Sequence, residues 1–323
     1  MLNLGLGIEI AARVSEVSPD EEEARLAALR EAATCYESAA RVGRGMQREH
    51  AHSIYSLWGD ALARDPARGM EAAYQVYKAG VKAGLYMHAS QRPARLIRSL
   101  RAAPWHDPYA REACRALRDA YPTIRAEAYA LLQADDRRQA EASGQIFKPY
   151  SSKALHTGEW SDVGLFFNGR INKLASQRAP RTTELLRSAV GNLNRDAVSC
   201  PLGSAYFSLL RPHTELKAHC GPTNARLRAH LGLIVPPGDC CIRCGDEPAR
   251  RWKEGEVLLF DDSFEHEVWN RTEEPRLVLI VDLWHDQLVT DADRAHACDE
   301  PSQIERYKRA LRGEYEVTTL RGH

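Results

Sequence analysis

Apolar residues recur every three or four positions through the first third of the chain and at every second position through much of the last third. The first period predicts helices and the second strands. Ser18-Pro19-Asp20-Glu21 sets a capping serine, a proline at the first helical position and a glutamate three residues past the cap, ahead of Leu26, Leu29, Ala33, Tyr36 and Ala40. That is a helix start followed by one apolar face. A second helix is predicted at about 50–64 on Ile54, Trp58 and Leu62, ended by Asp65-Pro66, and a third at about 67–79 on Met70, Ala73, Tyr74 and Tyr77. Residues 1–84 therefore read as a helical region, either tetratricopeptide-like or a cap on the next domain, since a free-standing solenoid takes about three repeats. A further helical stretch at about 107–133 carries Cys114, Leu117, Tyr121, Ile124, Ala128 and Leu131.

Residues 142–182 lose both periods. Their many Gly, Ser and Asn, with Tyr150, Trp160, Phe166, Phe167 and Asn168 among them, read as a long ordered loop region facing a substrate, followed by a short helix at about 182–194. From residue 203 short strands follow one another: 204–211, 214–220, 226–235, 240–245, 249–253, 256–261, 265–270 and 276–284. Eight short strands with Gly, Pro and Asn between them predict a double-sheet antiparallel barrel, a jelly roll with its core at 203–285. The whole is an α+β chain, and residues 291–323 form a charged tail of helical pattern.

Composition narrows the classes. With 44 Lys+Arg against 44 Asp+Glu the formal charge is zero, so nothing draws the chain toward nucleic acid or an anionic membrane. The longest apolar runs, such as Leu277–Val281, are five residues, far short of the roughly 20 that span a bilayer. Met1–Ala12 lacks the basic start of a secretory signal, and eight cysteines are too sparse for a disulfide scaffold. A cytoplasmic enzyme or scaffold with reduced thiols is expected, without a nucleic-acid or membrane partner.

Candidate chemistry sits in the strand region. His219 and His266 each fall at a strand end beside turn residues, 47 positions apart. Two neutral imidazoles from facing strands make half of a non-haem iron site, whose common form adds one carboxylate. The position two residues after the first histidine, where that carboxylate is expected, is Gly221. Either the site binds no metal, or water or a halide takes the vacant place. Arg276 lies ten residues past His266 across the polar turn Asn270–Pro275, and a hairpin there would bring both to one barrel face. A guanidinium deep in the barrel can grip a carboxylate, with Ser208 as a second donor. Arg226, Arg228 and His230 alternate along one strand, and three basic groups on an inner face require anions, which a dicarboxylate co-substrate and an acidic substrate side chain would supply. Asp261 and Asp262 read as turn-stabilising residues ahead of His266, and Cys240-Cys241-x-x-Cys244 as buried or edge thiols.

The segments HCGPTNARLRAHLGLIVP (219–236), KEGEVLLFDDSFEHEVWN (253–270) and RLVLIVDLWH (276–285) resemble the aspartyl/asparaginyl beta-hydroxylase family, and QRPARLIRSLRAAPWHDP (91–108) and GEWSDVGLFFNGR (158–170) extend the likeness over roughly 85–290. The resemblance implies a double-stranded β-helix oxygenase domain at 85–290 that uses iron(II), 2-oxoglutarate and dioxygen. It implies that His219 and His266 bind iron with glycine in place of the carboxylate, and that Ser208, Arg228, His230 and Arg276 surround 2-oxoglutarate. Arg226 would face the substrate carboxylate or amide, and Trp160 to Asn168 would form the substrate loop, with Asn168 where animal members carry a longer amide. The implied reaction hydroxylates the β carbon of Asp or Asn in a peptide or protein, releasing succinate and carbon dioxide. No cysteine pair stands in 158–182, where lumenal animal members have one, so the resemblance leaves open whether the substrate is an epidermal-growth-factor-like domain. Two other readings stay open: the same platform acting on a small molecule, as hydroxylase or halogenase, and a catalytically silent barrel whose helices bind partner proteins.

Overall fold

A computed structural model describes residues 22–42, 48–65, 67, 69–140, 145–150, 154–298 and 300–318. The cap at Ser18–Glu21 lies outside the described residues, as does the end of the tail. By its internal contacts the chain divides into Met1–Ala94 and Arg95–His323, a boundary somewhat beyond the one that composition suggests.

In the first unit, helices α1 (Glu22–Val42), α2 (Arg48–Ala63) and α3 (Gly69–Lys82) pack in sequence order, α2 against both neighbours. Ala32, Ala33, Tyr36, Ile54, Leu62, Val76 and Tyr77 form the core. Gly59 is required there, because a Cβ would lie 2.0 Å from the Tyr77 ring. Met70, which the periodicity assigns to the buried face, is exposed.

The second unit is two facing sheets under helices. Its strands are β1 (Trp105–His106), β2 (Lys148–Pro149), β3 (Leu155–Thr157), β4 (Trp160–Phe167), β5 (Arg170–Asn172), β6 (Ser204–Leu210), β7 (Thr214–His219), β8 (Arg226–Ile234), β9 (Cys240–Cys244), β10 (Arg250–Arg251), β11 (Val257–Phe260), β12 (His266–Asn270), β13 (Arg276–Trp284) and β14 (Glu316–Thr318). The major sheet runs β1-β11-β8-β13-β6-β4-β5-β14, with β2 on β4, and the minor sheet runs β10-β9-β12-β7-β3. From β6 onward the chain passes back and forth between the sheets, which is the double-stranded β-helix that the strand pattern and the resemblance imply.

Alternation decides which side chains meet. On the major sheet Ala205, Phe207, Leu209, Leu227, Ala229, Leu231, Leu277, Leu279 and Val281 face outward onto α4 (Glu112–Asp119), α5 (Tyr121–Ala140), α6 (Lys173–Arg178) and α7 (Pro180–Arg187). Tyr206, Leu210, Val278 and Ile280 face the other way, onto Ile242, Cys244, Phe264 and Val268 of the minor-sheet side. The tail is part of this unit: α8 (Asp291–Ala297) and α9 (Pro301–Leu311) bury Ala297 and Tyr307 beside Trp284, and β14 pairs in parallel with β5.

Two expectations are corrected. Trp160–Phe167 is not loop but an eight-residue strand of the major sheet, paired along its length with β6. Both of its faces are buried, so the two-residue period that marks a half-exposed strand is missing. Nor do β12 and β13 form a hairpin: β12 pairs with β7 and β9 in the minor sheet, β13 with β6 and β8 in the major one. The turn between them crosses the barrel, and the buried Asn270 amide fastens it by donating to the Leu210, Arg211 and Glu274 carbonyls.

Candidate active site

His219 ends β7, His266 begins β12, and the two are directly opposed in the pairing of those strands. Opposed residues project to the same side of a sheet, and the ring centroids lie 4.3 Å apart. Each Nδ1 meets a carbonyl two residues earlier, His219 that of Lys217 at 2.7 Å and His266 that of Phe264 at 2.9 Å. A carbonyl only accepts, so each Nδ1 carries the proton and each Nε2 keeps its lone pair. Burial lowers both imidazole pKa values, that of His266 to about 3. The pair is neutral, with the nitrogen atoms that bind metals left available.

Beside this pair Gly221 and Asp262 are in close contact. A Cβ at Gly221 would lie 2.6 Å from the Asp262 carboxylate, so the place that a ligand side chain at 221 would fill already holds one from the β11–β12 turn. Asp261 caps that turn through the Ser263 amide, as expected, but Asp262 does not. Its Oδ2 pairs with Arg226 at 2.9 Å and Arg228 at 3.1 Å, while Oδ1 is buried without a hydrogen-bond partner. Burial alone would raise this carboxyl, but the two guanidiniums outweigh it and hold it below the usual carboxylate range. Asp282 on β13 completes the cluster, with Arg228 Nε at 2.7 Å and Arg226 Nη1 at 2.8 Å. The anions expected for Arg226 and Arg228 from bound co-substrate and substrate are thus supplied by the chain itself, two carboxylates against two guanidiniums.

Further into the barrel the balance is different. Arg276 is buried, donates from Nη1 to the Ser208 carbonyl at 3.3 Å, and stands 4.8 Å from the centre of the Trp252 ring. Its Nε has no partner, and among the described residues no carboxylate pairs with it. Burial lowers its pKa to about 10, which still leaves it cationic at neutral pH. His230, on β8, accepts from Trp252 Nε1 at its Nδ1, and its buried Nε2 has no partner. Burial first, then the neighbouring Arg276 and Arg228, push this imidazole well below its ordinary pKa. Ser208 accepts from Trp160 Nε1 at 3.0 Å and so keeps its own proton to donate.

Trp160 therefore belongs to the interior, stacked on Tyr150 at 3.9 Å, and not to a surface loop. Asn168 is exposed, in the turn between β4 and β5, with φ of 49° ahead of Gly169 at 77°. Two successive left-handed residues are what a tight hairpin turn needs, and Asn-Gly provides them. Its backbone N–H donates to the Gly203 carbonyl, next to the Asp282 partner Ser204. Sequence reasoning missed Asp282 and Trp252 and misread Asp262. Asp282 had a signal, since a lone carboxylate in the apolar run RLVLIVDLW must find a cation.

These residues suit a metal and a 2-oxoacid. Two neutral imidazoles offer nitrogen ligands, and among the described residues no third His, Cys, Asp or Glu completes a ligand set. An unpartnered buried carboxylate oxygen lies alongside, and an unpaired buried guanidinium needs an anion. Fold and interior together define a double-stranded β-helix protein with a two-histidine site between its sheets. The chain belongs to the aspartyl/asparaginyl beta-hydroxylase family, whose model matches residues 118–286, just over half of it. It is 37% identical over 245 residues to the human aspartyl/asparaginyl beta-hydroxylase, covering 75% of this chain and 30% of that protein. Over 152 residues it is 42% identical to the aspartate beta-hydroxylase domain-containing protein 2 of Xenopus tropicalis, covering 43% of this chain and 40% of the relative. It thus spans less than half of the length of either. Among solved structures, a prolyl 4-hydroxylase from Pseudomonas putida overlays 51% of this chain and 87% of its own at 16% identity, with a TM-score of 0.32. Among the described residues no helix is long and apolar enough to cross a membrane.

Proposed function

We propose that this chain is an iron(II)- and 2-oxoglutarate-dependent dioxygenase that hydroxylates the β carbon of Asp or Asn in a peptide or protein. One observation carries the reading: Arg276, a buried cation without a carboxylate partner, sits in the same barrel as two neutral, opposed histidines. A lone buried guanidinium is costly and calls for an anion from outside the chain. The distal carboxylate of 2-oxoglutarate meets that need, with Arg276, the Ser208 hydroxyl and His230 Nε2 donating to it.

His219 and His266 would hold the metal through Nε2, oriented by their carbonyl partners. Bound there, iron(II) supplies dioxygen activation coupled to decarboxylation of the 2-oxoacid, so that one oxygen atom enters the substrate C–H bond and the other enters succinate. The protein's share is position and a dry interior. Arg226, which keeps a buried Nε without a partner, is the cation at the histidine end that reads the substrate carboxylate or amide, and Arg228 stands between it and the co-substrate. Asn168, in the turn near Asp282, faces the incoming peptide, and Trp160 acts through Ser208. A halide beside Gly221 would meet the Asp262 carboxylate, which disfavours the halogenase reading. A cytosolic setting completes the proposal, on the sparse cysteines of the sequence.

The test can be run before any peptide substrate is identified. Without oxygen, iron(II) and 2-oxoglutarate added to the protein should give the visible charge-transfer band of a chelated 2-oxoacid, and a band is not expected with His266→Ala. With oxygen, Asp- or Asn-containing peptides that accelerate succinate formation should gain one oxygen atom. A folded protein that gives no band would sink the assignment.

A further inference from the structure

Trp252 follows β10 and is buried against His230 and Arg276, each of which keeps a buried nitrogen without a partner. Its indole Nε1 lies 3.3 Å from His230 Nδ1, the two rings are within 14° of parallel, and its face lies 4.8 Å from the Arg276 guanidinium carbon. An indole N–H only donates, so His230 Nδ1 must accept and the imidazole proton must sit on Nε2. That Nε2 is the buried atom without a partner. A free neutral imidazole populates both tautomers, and the other one would turn a lone pair toward an incoming carboxylate. The indole face also offsets part of the cost of an unpaired buried cation and limits the planes that the guanidinium can take.

We infer that Trp252 is a positioning residue for 2-oxoacid binding: it locks His230 with its proton on Nε2 and backs the Arg276 guanidinium, so that both donors are set before the carboxylate arrives. The inference rests on the proposed reading of this barrel as a 2-oxoglutarate site. Arg276 does not set this tautomer, since among the described residues the hydrogen bond at His230 Nδ1 comes from Trp252. Phe260, edge-on to His230 at 4.9 Å, fills space but makes no hydrogen bond.

Trp252→Phe keeps an aromatic face and removes the N–H, whereas Trp252→Leu removes both. In the ligand-free protein, nitrogen-15 NMR of the His230 ring, assigned against His230→Asn, should show the Nε2–H tautomer in wild type and a mixture in Trp252→Phe. With redox-inert Mn(II) present, calorimetric affinity for 2-oxoglutarate should fall about three- to tenfold in Trp252→Phe, the range of one neutral hydrogen bond. It should fall further in Trp252→Leu. Mn(II) affinity itself should stay within about twofold, and Trp252→Phe should add little in a His230→Asn background. If wild type binds 2-oxoglutarate while Trp252→Phe keeps both its affinity and its tautomer, the Trp252 assignment falls and the oxygenase reading stands. A parallel loss of Mn(II) affinity would make Trp252 a general packing residue and overturn the inference. If wild type with Mn(II) does not bind 2-oxoglutarate, both fall together.

Discussion

Replacing Arg276 by methionine should make the ligand-free protein more stable while removing its response to 2-oxoglutarate. The guanidinium is buried with one backbone hydrogen bond and an indole face for company. Burial takes its pKa down to about 10, and at about 1.4 kcal/mol per pH unit the charged form costs the folded state about 3 kcal/mol. Because the folded pKa lies below the unfolded one, this penalty is complete at neutral pH and is relieved only as pH rises through about 10. Methionine retains most of the aliphatic stem but gives up a desolvated cation–π contact of about 1–2 kcal/mol. The net gain for R276M is then about 1–2 kcal/mol, or about 2–8 °C in melting temperature for a domain of this size. In wild type, 2-oxoglutarate at a hundred times its Kd should add about 2.7 kcal/mol, and R276M should gain nothing. Thermal and urea melts in Mn(II), with and without 2-oxoglutarate, read both quantities. A ligand-free R276M less stable than wild type would refute the charge argument, and a retained response to 2-oxoglutarate would refute the assignment of Arg276 to its carboxylate.

Asp262→Ala should destabilise the fold by about 3–5 kcal/mol in urea titrations, since Arg226 and Arg228 would share Asp282 as their one buried carboxylate; a loss below about 1 kcal/mol would show that the cluster is hydrated. Mn(II) affinity should change by less than about tenfold between pH 7.5 and 5.5, because burial takes His266 down to about 3 and lowers His219 as well, whereas two ordinary imidazoles would cost about a hundredfold. The same displacement has a stability cost: the unfolded chain takes up its protons first, so metal-free protein should lose stability as pH falls from about 6.5 toward about 3, which acid titration of the melting temperature checks. Asn168→Gly should leave stability within about 0.5 kcal/mol and Asn168→Ala should cost about 1 kcal/mol, because the backbone there is left-handed; a raised KM for peptide in the glycine variant would come from the lost amide alone.

Much of the architecture is legible from periodicity. The eight strands from residue 204 onward and the three N-terminal helices fall within a few residues of their pattern-based limits. Trp160–Phe167 escaped because, covered on both sides by α-helices and by the interior, it has no alternation, and Ser161, Asp162 and Gly164 break the continuous apolar run by which the equally buried β13 is legible. The pair His219 and His266 was visible as strand-end histidines, and the alternation of Arg226, Arg228 and His230 follows from the pleat alone.

What the sequence determines by itself is local: which segments are helix or strand, which side chains share a face, and that one inner face carries more cationic groups than an apolar interior tolerates. Which anions answer those cations was decided by the tertiary structure. Asp262 and Asp282 come from a turn and a strand that are distant in sequence from Arg226 and Arg228: pairing of β13 beside β8 in the major sheet sets Asp282 opposite Arg228, the β11–β12 turn that leads to the minor sheet brings in Asp262, and all four contacts fall within 3.1 Å. The same fold leaves Arg276 without a carboxylate partner and sets Trp252 between it and His230. Coulombic pairing depends on distance through space, and no period along a chain encodes it.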